Sequence, residues 1–165
     1  MTQPIKVEDY DPHWPQRFEA LRARISQALG PLAKAIEHIG STAVPGLSAK
    51  PIIDIDVLLQ SGEDLHNAIN ALTRLGYKHR GDLGVAGREA FKPPAHVFPH
   101  HLYVCPPDSE EFQRHLAFRD HLRAHPGTAQ AYADLKRKLA AEFACDGDAY
   151  TNGKTQFVKR IRTAC

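Results

Sequence analysis

Two carboxylates stand inside the most apolar run of this chain. Ile52–Leu59 reads IIDIDVLL, and Asp54 and Asp56 are its only polar residues. The run suits a buried strand, expected over Pro51–Leu59. Residues two apart in a strand share a face, so Asp54 and Asp56 project together while Ile53, Ile55 and Val57 turn the other way into a core. Two carboxylates in so apolar a strand are costly unless a cation or a hydrogen-bond network compensates them. Mg²⁺ (or Mn²⁺) would do so, because it takes oxygen ligands and leaves positions open to substrate phosphates.

A second apolar segment, Ala33–Ile39, precedes this run and ends in Gly40-Ser41. Glycine lets backbone approach a ligand closely. Ser41 and Thr42 then open a short helix or turn, Thr42–Leu47, whose free N–H groups suit an anion. Taken singly, Gly-Ser is a common strand-to-helix turn and Asp-x-Asp occurs at solvated strand ends. Their coupling favours a phosphate cradle followed by a metal-binding strand, which suits a nucleoside triphosphate.

Apolar-Gly-Ser, twelve spacer residues and Asp-apolar-Asp-apolar resemble the signature of the nucleotidyltransferase superfamily, with its polymerase-beta-like fold. EHIGSTAVPGLSAKPIIDIDV (residues 37–57) resembles the core motif of one branch, the GrpB family. The similarity continues through Val7–Phe18, Arg88–Lys92, His101–Val104, Ala117–Pro126, Tyr132–Lys136 and Lys154–Val158, nearly the whole chain. The resemblance implies that Asp54 and Asp56 hold Mg²⁺ against the nucleotide's phosphates. It implies that Gly40 and Ser41 contact those phosphates, with Ser41 a hydrogen-bond donor and not a nucleophile.

Nucleotidyltransferases usually carry a third carboxylate on a neighbouring strand. The equivalent here, His101–Val104, has no acid. Where the family commonly shows His-Leu-His, this chain has His101-Leu102-Tyr103. His101 is a candidate ligand or base, equally readable as a structural histidine, and Glu89 is a second candidate for the third position. Lys50, Arg88, Lys92, Arg119 and Arg123 are the basic candidates for phosphate. Any one of them alone reads more simply as a surface residue. His38 is readable as a core residue or as one facing the site, and Glu37 as solvated. Lys136 and Lys154 match family positions without a readable role.

Composition removes other classes. The 165 residues carry 21 Lys+Arg and 19 Asp+Glu with signs interspersed, so no basic stripe marks a nucleic-acid tail. Cys105, Cys145 and Cys165 make neither a CxxC pair nor a disulfide framework, which fits a reducing cytoplasm. The polar opening MTQPIKVEDYDP is unlike a signal peptide, and no run reaches the length of a membrane span.

Helical spacing of Phe18, Leu21, Ile25 and Leu29 predicts a helix over Trp14–Leu29, closed by Gly30-Pro31. Further helices are expected over Gly62–Leu75 (capped by Ser61), Ser109–Ala124, Gly127–Phe143 and Tyr150–Ala164. Strands are expected over Tyr77–Arg80, Arg88–Lys92 and His100–Cys105, with Gly81–Gly87 a glycine-rich loop that lacks P-loop spacing. The expectation is one α+β domain, a small mixed sheet backed by helices.

Two functions fit. One is an enzyme that binds a nucleoside triphosphate with Mg²⁺ and passes its nucleotidyl group to a small acceptor. The other is a non-catalytic nucleotide-binding or accessory module, related by resemblance to the domain fused to dephospho-CoA kinase, which would meet a protein partner in trans.

Overall fold

The computed structural model describes residues 4–164. Met1–Gln3 of the polar opening, and Cys165, lie outside the described residues. The first helix, α1 (Trp14–Leu29), has the expected bounds and buries Trp14, Phe18, Leu21, Ile25 and Leu29. Pro15 sits in its first turn, where a missing N–H costs nothing.

The strands are β1 (Ala33–Ile39), β2 (Ile53–Leu59), β3 (Lys78–His79), β4 (Glu89–Lys92) and β5 (His100–Cys105). They form one mixed sheet in the order β1-β2-β5-β4-β3. β1 runs antiparallel to β2, β2 parallel to β5, β5 antiparallel to β4, and β4 antiparallel to β3. β2 begins at Ile53 and not at Pro51, since proline has no N–H to give a ladder. The segment expected as one helix over Gly62–Leu75 divides. Ser61 Oγ accepts from Glu63 N, a 3₁₀ turn covers Gly62–Asp64, and α2 covers Leu65–Arg74. The remaining helices are α3 (Glu110–Ala124), α4 (Pro126–Glu142) and α5 (Gly147–Ala164). No helix among the described residues is long and apolar enough to cross a membrane.

The alternation of β2 sorts the molecule into layers. Ile53, Ile55 and Val57 are fully buried against α1 and α2, in a core shared with Leu72, Leu102 and Val104. Each such side chain contributes about 2 kcal/mol by leaving water. The opposite face meets α3 through Leu58, Cys105 and Phe112. α3, α4 and α5 also share their own core, in which Tyr132 stacks on Phe157 with ring centroids 5.1 Å apart. Gly153 makes the α4–α5 contact possible, because a Cβ there would lie 2.5 Å from Leu139 Cδ2. Close helix approach at Gly153 carries its neighbour Lys154 toward the sheet.

Candidate functional site

Asp54 and Asp56 reach the α3–α5 face, as the alternation requires. In the β2–β5 register Asp54 lies beside His101 and Asp56 beside Tyr103. His101 Nδ1 is 2.8 Å from Asp54 Oδ1. A carboxylate only accepts, so Nδ1 carries a proton, and Nε2 is the nitrogen left to gain or lose one. This hydrogen bond, reinforced by the charge of Asp54, outweighs burial and holds the His101 pKa above its ordinary value.

Asp56 is fully buried. His115 of α3 places Nδ1 2.6 Å from Asp56 Oδ2 and Nε2 2.9 Å from Glu111 Oε1. Both ring nitrogens face carboxylates, so His115 donates from both and is held as an imidazolium. Burial opposes that charge, but the bond to Asp56 and the charges of Asp56 and Glu111 prevail and raise its pKa. Asp56 Oδ1 stays buried with no hydrogen-bond partner among the described residues.

Gly40 follows β1 with φ 75°, and a Cβ there would collide with Asp54 Oδ2. Only glycine lets this backbone lie on the carboxylate. The segment after it corrects one expectation. Ser41–Ala43 is a single 3₁₀ turn, too short to act as a helix N-terminus toward an anion. Any phosphate here would rely on side chains.

Those side chains line a cavity of about 340 Å³ that holds Asp54, His101 and Ser41 together with Lys50, Lys136 and Lys154. The volume suits a small ligand. Lys50 Nζ and Lys154 Nζ each lie over the Tyr150 ring, 4.6 Å from its centroid. Tyr150 Oη is buried with no hydrogen-bond partner among the described residues. Lys136 donates to Ser48 O and lies 4.7 Å from the Tyr132 ring centroid. Burial, then the charge of Lys154, lowers the Lys136 pKa to about 7, and burial with the charge of Lys50 lowers Lys154 to about 8. Lys50 is lowered by burial as well. A polyanion would favour the charged form of ammonium groups crowded this closely.

The donor set fits a hard divalent cation. Mg²⁺ takes one or two carboxylates and completes its shell with phosphate oxygens and water. Asp54, which lines the cavity, would supply one carboxylate, and Asp56, fully buried on the same face of β2 with Oδ1 unpartnered among the described residues, would supply the second. Among the described residues no three His, Cys, Asp or Glu side chains are placed to hold a metal by themselves. A cation here would complete its shell with water or with oxygens from a substrate.

Other expectations are redistributed. Glu89 belongs to the opposite face. It sits 3.2 Å from His79 Nε2 and lines a separate cavity with Leu59, Leu65 and Val104, so it is no third carboxylate for Asp54 and Asp56. Arg119 and Arg123 are not in the Asp54 cavity either. Arg119 Nη1 donates to Glu37 Oε2 at 2.8 Å and to His38 O, while Arg123 Nε donates to Ala43 O. They tie α3 to the β1 edge, and Glu37 is ion-paired there, not merely solvated. His38 is a core residue, stacked on Phe18 and 2.8 Å from Thr42 Oγ1. Thr42 is buried by that bond and touches the Asp54 cavity from behind. Arg88 lies over the Tyr103 ring, its Cζ 4.4 Å from the centroid, and Lys92 lines an adjoining pocket.

His115, Lys136, Tyr150 and Lys154 were not singled out as site residues from sequence. Lys136 had a readable signal. It follows Tyr132 by four residues and precedes Leu139 by three, which puts a lysine on the buried stripe of an amphipathic helix. His115 stands between Phe112 and Leu116 in the same manner.

Residues 4–164 match the family described as GrpB protein. The protein PA4798 of Pseudomonas aeruginosa is 44% identical over 161 residues, covering 95% of this chain and 66% of its own length. YqkA of Bacillus subtilis is 37% identical over 155 residues, which cover 94% of this chain and 45% of that protein. The chain thus spans about half to two thirds of these relatives. The crystal structure of GrpB from Enterococcus faecalis superposes with a TM-score of 0.88 at 37% identity, covering 96% of both chains. A structure of the GLD-2/RNP-8 complex superposes with a TM-score of 0.54 at 12% identity over 94% of this chain and 58% of that one, a likeness of fold. The fold shared with these structures is an α+β one built on a five-stranded mixed sheet. The chain belongs to the GrpB family.

Proposed function

We propose that this member of the GrpB family binds a nucleoside triphosphate with Mg²⁺ and transfers its nucleotidyl group to a small acceptor. The observation that carries the reading is the convergence of Lys50, Lys136 and Lys154 on the cavity that contains Asp54. Lysines near a carboxylate could be a structural network, but ion pairing would then raise their pKa values, and burial instead lowers all three.

In this reading the three lysines and Ser41 bind the phosphates, and the Gly40 backbone holds the Asp54 carboxylate in place. Asp54 and Asp56 would hold Mg²⁺ (or Mn²⁺), which supplies charge neutralisation to the triphosphate. His115 fixes Asp56 through Oδ2 and leaves Oδ1 directed elsewhere. His101 Nε2, with Nδ1 engaged by Asp54, accepts the proton of the acceptor hydroxyl. The acceptor oxygen bonds to the α-phosphorus as the bond from that phosphorus to the bridging oxygen breaks, and pyrophosphate leaves.

One observation favours the second reading, binding without turnover. The β5 position beside Asp56 carries Tyr103 where a third carboxylate would complete the site. Pyrophosphate release decides between them. With each nucleoside triphosphate, Mg²⁺ and a pool of small hydroxyl and phosphate acceptors, wild type should release pyrophosphate and Asp54→Asn should not. Tight nucleotide binding with no release in either would leave the binding module. Equal release from both proteins would remove Asp54 from the chemistry.

A further inference from the structure

The outer strands extend the face that carries Asp54. Ala90 of β4 lies beside Tyr103 of β5, and Lys78 of β3 lies beside Lys92 of β4. Just past β3, Arg80 N bonds to Ala90 O at 2.8 Å. Lys78, Arg80, Ala90 and Lys92 therefore share a face with His101 and Asp54. Phe91, His79 and Glu89 alternate to the other side.

A pocket of about 260 Å³ opens here, and it shares His101 and Tyr103 with the lysine-lined cavity. Arg80 and Lys92 stand at it, and no carboxylate lines it. Among the described residues neither cation, nor Lys78, enters an ion pair. Like charges directly opposite on adjacent strands repel. Lysines do protect exposed sheet edges, and that alone would account for Lys78 on the outermost strand. It does not account for Lys92, which is on an inner strand, or for Arg80 beside it.

The rest of the lining is apolar. Ala90 gives a flat floor, and Leu83 and Pro93 stand beside it. Leu83 is 61% exposed and is held at φ 52° in the Gly81–Gly87 loop. A bulky residue in the left-handed region is strained, and such strain persists where the surroundings impose it. Here it keeps a large apolar side chain in water at the mouth of a cationic pocket.

We propose that this pocket takes the acceptor, and that the acceptor is a phosphate monoester with an apolar body. The dianionic phosphate meets Arg80 and Lys92, whose two charges balance it. The body rests on Ala90 against Leu83. A hydroxyl of the body points to His101, which the two pockets have in common and which takes its proton as that oxygen bonds to the α-phosphorus and pyrophosphate leaves. The role as acceptor rests on the nucleotidyl-transfer reading above, whereas the pocket's preference for a phosphate monoester is a separate property.

Phenyl phosphate is a suitable probe, titrated by calorimetry into wild type, Arg80→Gln/Lys92→Gln, Leu83→Ser and Lys136→Gln. Phenyl phosphate should bind wild type at least tenfold more weakly once Arg80 and Lys92 are both replaced. Leu83→Ser should weaken phenyl phosphate but not inorganic phosphate, and Lys136→Gln should change phenyl phosphate by no more than twofold. ATP with Mg²⁺, titrated into the same proteins, should show the reverse, with loss in Lys136→Gln and none in Arg80→Gln/Lys92→Gln. No binding of phenyl phosphate, or a loss confined to Lys136→Gln, overturns the acceptor pocket. Failure of ATP to bind wild type overturns the nucleotide reading instead, and the phenyl phosphate series still judges the pocket.

Discussion

His115 Nδ1 lies 2.6 Å from Asp56 Oδ2 inside the protein, and Asp56 has no solvent exposure. A helix side chain thus holds one oxygen of a strand carboxylate whose other oxygen has no partner among the described residues. Removing one member of a buried pair leaves an uncompensated charge, which typically costs 3–5 kcal/mol. His115→Ala should lower unfolding free energy by about 3 kcal/mol in urea. Mg²⁺ should restore part of that loss, because a cation can replace the imidazolium beside Asp56. Loss of stability that Mg²⁺ leaves untouched would argue against a cation at Asp56.

Gly40→Ala tests the contact between the β1 end and Asp54. The new Cβ meets Asp54 Oδ2, and φ 75° is unfavourable for alanine. Stability should fall by about 1–2 kcal/mol. The Mg²⁺-dependent part of nucleotide affinity should fall at least tenfold, a change that a strained turn remote from the site would not produce.

Lys136→Met separates stability from binding. The folded pKa of about 7 lies below the ordinary 10.5, so the folded state disfavours the charged form. Its cost to stability accrues as pH falls from about 10.5 to 7 and is constant below. The substitution should therefore stabilise the protein at pH 7 by about 2 kcal/mol, after allowing for the lost bond to Ser48 O. That gain should narrow as pH is raised toward 10. Nucleotide affinity should fall tenfold or more. A variant less stable than wild type at pH 7 would make Lys136 a structural residue.

His38 sets an acid limit. Burial, the largest influence on it, lowers its pKa to about 4 from 6.5. The folded state holds it neutral, so the stability tied to it is present above pH 6.5 and is lost as pH falls toward 4. The span corresponds to about 3 kcal/mol. His38→Gln should flatten the decline in melting temperature over that window. An unchanged slope would assign the acid loss to other groups.

The fold was legible wherever local pattern decides it. The three- and four-residue spacing of Phe18, Leu21, Ile25 and Leu29 located α1 to its ends, and the alternation in IIDIDVLL gave both the core side and the site side of β2. Boundaries failed where one residue type overrides periodicity, as at Pro51, or where a cap diverts the first turn, as at Ser61. The site was legible for the strands, since Asp54 and His101 occupy neighbouring register positions that sequence could suggest. It was obscure for the helices. Arg119 and Arg123 share a helix face as their spacing implied, but which partner that face meets is a tertiary matter, and it is Glu37 and Ala43. Lys136 and Lys154 come from helices more than eighty residues beyond Asp54 in the chain. Only their places among apolar residues hinted at burial.

The most direct measurement is thermal melting of wild type and Asp54→Asn with each nucleoside triphosphate, with and without Mg²⁺. A ligand at a hundredfold its dissociation constant stabilises by about 2.7 kcal/mol, a shift of several degrees for a chain of this size. Wild type should be stabilised by at least one nucleoside triphosphate only when Mg²⁺ is present, and Asp54→Asn, folded as judged by its own melting transition, should lose that dependence. An absence of any shift in wild type, or an equal Mg²⁺-dependent shift in Asp54→Asn, would contradict a metal–nucleotide site at Asp54.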